Sequence, residues 1–411
     1  MDLFCNILGE MSKVVRPHVA QNVSPIYSSK SNFFIGVDFM MFSIILFTSI
    51  ALSLILNGYM ENILIILSTV IIYKQIIINK DYKYMIYALI ISFIGVNLMV
   101  TFGFRDYISF RDIQPGEDEE ETLILLVSEG EYKHYNLRER STQIHYEKGY
   151  ESLFRGIKDL YKYKSYYNEL GDSDFKEEAE EVATKLSYQL DEGYKVVNSY
   201  MYTQPYFEHS LEDIVSKGYK KIIICPLFMT EGKDYEIFKQ RYEKLNLVSY
   251  NLVDIEILEP FYKSNNLAMV YKNEILKNIR SLEKDSGVLL IGLYNKNNLE
   301  QDILFREKIK EYIEHEEKNI DIQIKLPLLE NNKKDIIKSG EELLEYGINT
   351  LYVVLPTCTI DTMYTKHLVE SILEDLDMGN TKFYYINPEK KTDAIVDEIF
   401  KRISLMNQIG G

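Results

Sequence analysis

Pro205–Gly232 reads PYFEHSLEDIVSKGYKKIIICPLFMTEG, and its reading decides the fold. Phe207 to Lys217 is a helical stretch closed by Gly218, the residue type that most readily ends a helix. Lys221 to Pro226 (KIIICP) comes next as a continuous apolar run, the pattern of a strand covered on both faces. The same order returns at Gly347 to Pro356 (GINTLYVVLP): a helix-ending glycine, a buried strand, then a proline.

Outward from this stretch, short apolar strands alternate with helical segments. Strands are expected at Thr122–Val127, Lys195–Met201, Lys221–Pro226 and Asp254–Leu258, with helices at Phe175–Leu190, Phe207–Lys217 and Tyr235–Lys244. The pattern restarts with strands at Val288–Leu293, Asp321–Leu326, Thr350–Leu355 and Lys382–Ile386. Its helices are Leu299–Glu316, Lys334–Tyr346, Asp361–Leu376 and Thr392–Ser404. Strands alternating with helices call for parallel βαβ units. The expected fold is therefore α/β, with two similar doubly wound parallel-sheet lobes at 122–286 and 287–411 and a cleft between them. Ligands of such sheets bind beyond the carboxyl ends of the strands.

The first quarter of the chain is different. Three apolar runs, Phe33–Leu56, Ile63–Ile78 and Tyr84–Phe104, approach the roughly 20 residues that a spanning helix needs. They imply a transmembrane module at 33–104 with about three spans, after a basic tail at 1–32 and before an acidic linker at 105–121 that contains QPGEDEEE. The localisation expected is a multi-pass protein of the cell membrane or of an internal compartment. Lys13, Arg16, Lys30, Lys80 and Lys83 flank the runs on the side of the amino terminus, which favours a cytoplasmic amino terminus. Three spans then put the large region on the other side; two would return it.

The net charge is −16, and residues 1–112, with eight basic and seven acidic side chains, are nearly neutral. The acidity therefore belongs to the α/β region, which argues against nucleic-acid binding and suits metal cations better. Cys5, Cys225 and Cys358 show no CxxC or Cys/His zinc spacing. No glycine-rich phosphate loop or nucleophile elbow is visible.

The segment 205–232, with its Pro226-Leu227-Phe228 turn, resembles the class II chelatases, the family of ferrochelatase and the sirohydrochlorin chelatases. The opening ILLVSEG, Ile124 to Gly130, is similar to that family's first strand and turn. The resemblance implies a two-lobed fold and a reaction in which a divalent metal ion, most often iron, enters a tetrapyrrole as two pyrrole protons leave. The family's histidines are not retained: Glu129 stands at the small chelatases' position, Tyr294 at ferrochelatase's, and Lys233 or Asp234 near the second histidine of the small enzymes.

The side chains just past the first-lobe strands are carboxylates: Glu129, Glu131, Glu231 and Asp234. Oxygen donors suit hard or borderline cations such as Fe²⁺. Glu129 is thus the candidate proton acceptor and metal ligand, Glu231 and Asp234 candidate metal guides, and Tyr132 and Tyr294 candidate contacts to a flat macrocycle. His134, His367 and Cys358 are further residues near strand ends. Two functions stay open: a membrane-anchored chelatase handling iron, or a catalytically silent relative. The silent relative would serve as scaffold or metal-binding part of a membrane assembly, such as an iron-storage compartment or a metal transporter.

Overall fold

The computed structural model describes residues 29–77, 82–108, 116, 119–247, 254–282, 285–293, 299–316, 322–329 and 332–410. Tyr294 and the amino-terminal tail with Cys5 lie outside them.

The first sheet is built from β1 (Glu119–Ser128), β2 (Tyr194–Tyr200), β3 (Tyr219–Pro226) and β4 (Asp254–Ile257), in the order β2-β1-β3-β4 with every pairing parallel. The second contains β5 (Ser286–Leu290), β7 (Ile322–Lys325), β9 (Thr350–Val354) and β10 (Lys382–Tyr385), in the order β10-β9-β5-β7, again all parallel. Numbered within its own lobe, each sheet runs 2-1-3-4. The two sequence echoes are the third strand of each. Ile222–Ile224 of β3 and Leu351–Val353 of β9 are fully buried, as continuous apolar runs require.

The expected strand Val288–Leu293 is broken. After β5 the chain switches at Ile291, and β6 (Gly292–Leu293) pairs instead with β8 (Leu328–Leu329). A Cβ on Gly292 would lie 2.4 Å from Asp302 and 2.5 Å from Arg306, so this switch needs a glycine. Conversely, β1 starts at Glu119, inside the stretch read as linker, where Glu119 pairs with Tyr219 across an irregular register.

In the first lobe, α4 (Leu137–Lys148) and α5 (Ser152–Leu170) come after β1, and α6 (Phe175–Gln189) leads into β2. Then come α7 (Phe207–Ser216) and α8 (Lys233–Lys244), with α9 (Asn265–Leu282) crossing to the second lobe. There, α10 (Leu299–Glu316), α11 (Lys334–Tyr346), α12 (Met363–Asp375) and α13 (Lys391–Gly410) alternate with the strands. One apolar core joins inner-face residues of both sheets, Ile124 and Leu126 with Val288 and Leu290, through α6, α9, α10 and α13. The lobes are therefore a single packed body.

The amino-terminal runs form α1 (Ser29–Ile55), α2 (Tyr59–Ile77) and α3 (Tyr82–Leu98), the last prolonged by a π turn at Met99–Gly103. Among the described residues, one helix, Met85–Gly103, is long and apolar enough to cross a membrane, while Phe39–Ile55 is a shorter apolar helix. Polar side chains within the bundle bond back to its own carbonyls, as Ser43 does to Phe39, Ser68 to Leu64 and Thr69 to Ile65. Ser92 Oγ donates across helices to the Ile44 carbonyl at 3.0 Å.

The bundle docks on α5. Gly156 lets the helices approach, since a Cβ there would meet Val100 at 2.8 Å. Thr101 and Ser152 hydroxyls lie 3.1 Å apart, and Asn97 Oδ1 accepts from the Ile157 N–H at 3.2 Å. The buried Lys164 ammonium donates to the carbonyls of Ser53 (3.2 Å) and Leu56 (2.6 Å) at the end of α1, and pairs with Glu61 at 2.9 Å.

Candidate functional site

The site forms where β1, β3 and α4 end. After Ser128 the chain turns through Glu129, Gly130 and Glu131. Gly130 has φ +82°, and a Cβ there would strike Tyr200 and Thr203 at 2.5 and 2.7 Å. This turn sends the two carboxylates into different surroundings.

Glu131 goes inward and is 1 % exposed. It ion-pairs with the buried Arg140, accepts from Ser173 Oγ at 2.6 Å, and accepts from the Met363 N–H at 3.0 Å. Arg140 also donates to Gln143 (2.5 Å) and Tyr167 (3.0 Å) and lies over the Tyr163 ring. Glu131, read from the sequence as one of a set of open carboxylates, is thus a saturated structural anion. Glu139 completes this knot by accepting from the Tyr132 N–H at 3.2 Å. Burial, opposed by Arg140, pushes the Glu139 carboxyl up to about 8.

Glu129 instead is only half-buried, just past the end of β1. The charges of Asp234, in the first turn of α8, and of Glu147, in the last turn of α4, act on it. Asp234 accepts from the Tyr202 hydroxyl at 2.9 Å, and Glu147 from Gln143 Nε2 at 2.6 Å. Burial first, then repulsion from Asp234, Glu147 and Glu131, raises the Glu129 pKa well above its ordinary value, with Arg140 opposing. Burial, then Asp234, raises Glu147, with Lys233 opposing. Burial likewise raises Asp234, and the Tyr202 hydrogen bond opposes it. The Glu129 and Glu147 carboxyls thus feel the charge of Asp234, and ionising all three is opposed. Tyr202, Tyr163 and Tyr364 lie among them, and each has its hydroxyl pKa raised by burial first and by Glu147 among the charges.

The sequence-derived residues divide accordingly. Glu129 and Asp234 lie close enough for the Asp234 charge to act on Glu129. Glu231 does not join them: its charge acts on Tyr235, its N–H donates to Gln301 at 2.8 Å, and Asp234 and Glu147 supply the repulsion on Glu129. Among the described residues no three His, Cys, Asp or Glu side chains converge closely enough to hold a metal ion, so Glu129, Glu231 and Asp234 are not a preformed cage. Tyr132 has Lys176 over its ring at 4.3 Å, which occupies a face a macrocycle would need. Tyr294 is outside the described residues. His134 pairs with Asp172 at 2.8 Å, and His367 stacks on Tyr166 at 4.1 Å. The Cys358 thiol is buried and bonded to the Ile360 carbonyl.

Sequence reasoning misses Glu147 because α4 does not look like a helix. Its interior buries Glu139, Arg140, Ser141, Thr142 and Gln143, so it shows no apolar stripe. The residual signals are Asn136, whose side chain caps the helix by accepting from Arg138 and Glu139, and an acid in the last turn, where the helix dipole disfavours one.

Residues 171–277 match the CbiX family. A ferrochelatase from Sulfurihydrogenibium sp. is 35 % identical over 89 residues, which is 20 % of this chain and 27 % of that enzyme. The match thus spans about a quarter of the curated relative's length. Among solved structures, the sirohydrochlorin chelatase SirB from Bacillus subtilis subspecies spizizenii in complex with cobalt is 14 % identical, with a TM-score of 0.44, over 67 % of this chain and 93 % of that one. SirB from Bacillus subtilis with Fe³⁺ is 15 % identical, with a TM-score of 0.46, over 68 % and 95 %.

Proposed function

From the premise that this chain is related to the class II chelatases, we propose that it delivers a divalent metal ion, iron, into a tetrapyrrole in the cleft between its lobes. The observation that carries this reading is that the charges of Asp234, in the first turn of α8, and Glu147, in the last turn of α4, act on Glu129 just past β1, with all three carboxyl pKa values raised by burial first. The metal is a substrate here. Insertion replaces two pyrrole N–H bonds by metal–nitrogen bonds and releases two protons. A carboxylate with an ordinary pKa of about 4.3 is a poor acceptor of them at neutral pH, and a raised one is better. Glu129 takes the first proton. Asp234 and Glu147 draw the cation in and relay the second.

The reaction takes place at a membrane. Its support is the apolar surface of the helical bundle, where Ile63, Ile66, Val70, Ile86, Ile90 and Ile94 are all exposed, a patch that water does not tolerate.

The second reading, a catalytically silent metal-binding scaffold of a membrane assembly, is favoured by the lack of a three-ligand cage among the described residues. One experiment separates the two. The full chain in detergent is titrated anaerobically with a free-base porphyrin and with sirohydrochlorin, Fe²⁺ is added, and metallation is followed by visible absorbance. Turnover that Glu129→Gln abolishes supports the enzyme. Fe²⁺ binding with no macrocycle binding identifies the scaffold.

A further inference from the structure

The outer face of α5 does not match the rest of the molecule. The chain has a net charge of −16, yet Arg155, Lys158 and Lys162 project from one exposed face of this helix. Among the described residues these three make no ion pair. Lys148 lies close enough to repel Lys162, although it is paired with Asp159 at 2.5 Å. Interleaved with the cations are Phe154, 74 % exposed, and Tyr161, 45 % exposed.

This face belongs to the helix that holds the bundle. Ser152 and Gly156 of α5 meet α3 where its exposed apolar surface ends, near Phe102. An aromatic and basic stripe beginning where an apolar helix ends is the composition of a membrane–water boundary.

We propose that the outer face of α5 lies on the membrane surface and binds the phosphate headgroups of anionic phospholipids, with Phe154 and Tyr161 seated at headgroup depth. The inference rests on the bundle being membrane-embedded. Charge complementarity selects the lipid: a cationic cluster on an acidic protein is drawn to an anionic leaflet within a Debye length of about 8 Å. The contact also fixes the domain's tilt, because the other side of α5 carries Tyr163, Tyr166 and Tyr167 toward the cleft and α12.

The native chain has no tryptophan, so Phe154→Trp introduces a single indole. The full chain carrying it is reconstituted in vesicles of phosphatidylcholine containing phosphatidylglycerol, with one or the other lipid brominated. Brominated phosphatidylglycerol should quench the indole about twofold more than an equal amount of brominated phosphatidylcholine, and high salt should remove the difference. Arg155→Glu, Lys158→Glu and Lys162→Glu together should abolish it with the helical circular dichroism unchanged. Tyr188→Trp, at a position 85 % exposed on α6, should stay unquenched. Equal quenching by both lipids would overturn the headgroup contact. Absence of quenching in a chain that resists carbonate extraction would overturn the proposal and leave the anchoring intact. Release of the chain by carbonate would overturn both.

Discussion

The Glu131 carboxylate, at the carboxyl end of the first sheet, accepts a hydrogen bond from the Met363 N–H in the first turn of α12, 3.0 Å away and in the other lobe. One buried side chain therefore neutralises Arg140 and also caps a helix across the cleft. Thr359 makes a second crossing, its hydroxyl donating to the Leu227 carbonyl at 2.7 Å.

Glu131→Ala should be among the most destabilising single changes in the first lobe. It strands the Arg140 guanidinium, 2 % exposed, without its strongest partner, a loss of about 3–5 kcal/mol. Chemical denaturation of the full chain in detergent would measure it. A loss below about 1 kcal/mol would mean that Glu139 takes over the pairing.

Glu129→Gln with Asp234→Asn should weaken Fe²⁺ or Co²⁺ binding at least about tenfold, about 1.4 kcal/mol, with the fold retained. Glu147→Gln should weaken it as well, whereas Glu231→Gln should not. Calorimetry on these variants decides whether Glu147 displaces Glu231 from the site.

The fold was legible because it is written in period and punctuation. Gly218 and Gly347 end helices, and the buried strands beside them are apolar throughout, so lobes, order and repetition could be read directly. The site was half legible. Glu129 and Asp234 come just after strand ends, where topology alone points. Glu147 comes from a helix whose buried face is polar, and the Glu139–Arg140–Glu131 knot that replaces an apolar stripe leaves no periodic trace. The break at Gly292 was hidden for a different reason, since the residues that crowd it, Asp302 and Arg306, lie on the following helix and leave no mark on the local pattern.

Stability should fall with rising pH through Glu139. Its pKa is raised from about 4.3 in the unfolded chain to about 8 in the folded one, by burial. The folded state then holds a proton that the unfolded state has lost, so this contribution is complete below about pH 4.3 and is gone once the pH passes about 8. Thermal melts of Glu139→Gln should show a flatter dependence across that window. An unchanged slope would assign it to other groups.

Gly156→Leu should loosen the bundle from α5. The new side chain meets Val100, and overpacking of this kind costs about 1–3 kcal/mol. Faster proteolysis between residues 104 and 119, with the melting of the two-lobed body unaffected, is the expected signature.

The three-span arrangement predicts that Tyr59→Cys, 90 % exposed at the start of α2, is labelled from the side of the α/β region, and Cys5 from the opposite side. Labelling of both from one side would exclude it.

The hold of Lys164 on Ser53 and Leu56 also dictates an order of assembly. The last carbonyls of α1 find their donor more than a hundred residues downstream. The Ile55 carbonyl beside them takes its donor from Tyr135, whose hydroxyl lies 2.9 Å away. This end of α1 is therefore finished only when the α/β region has folded against it.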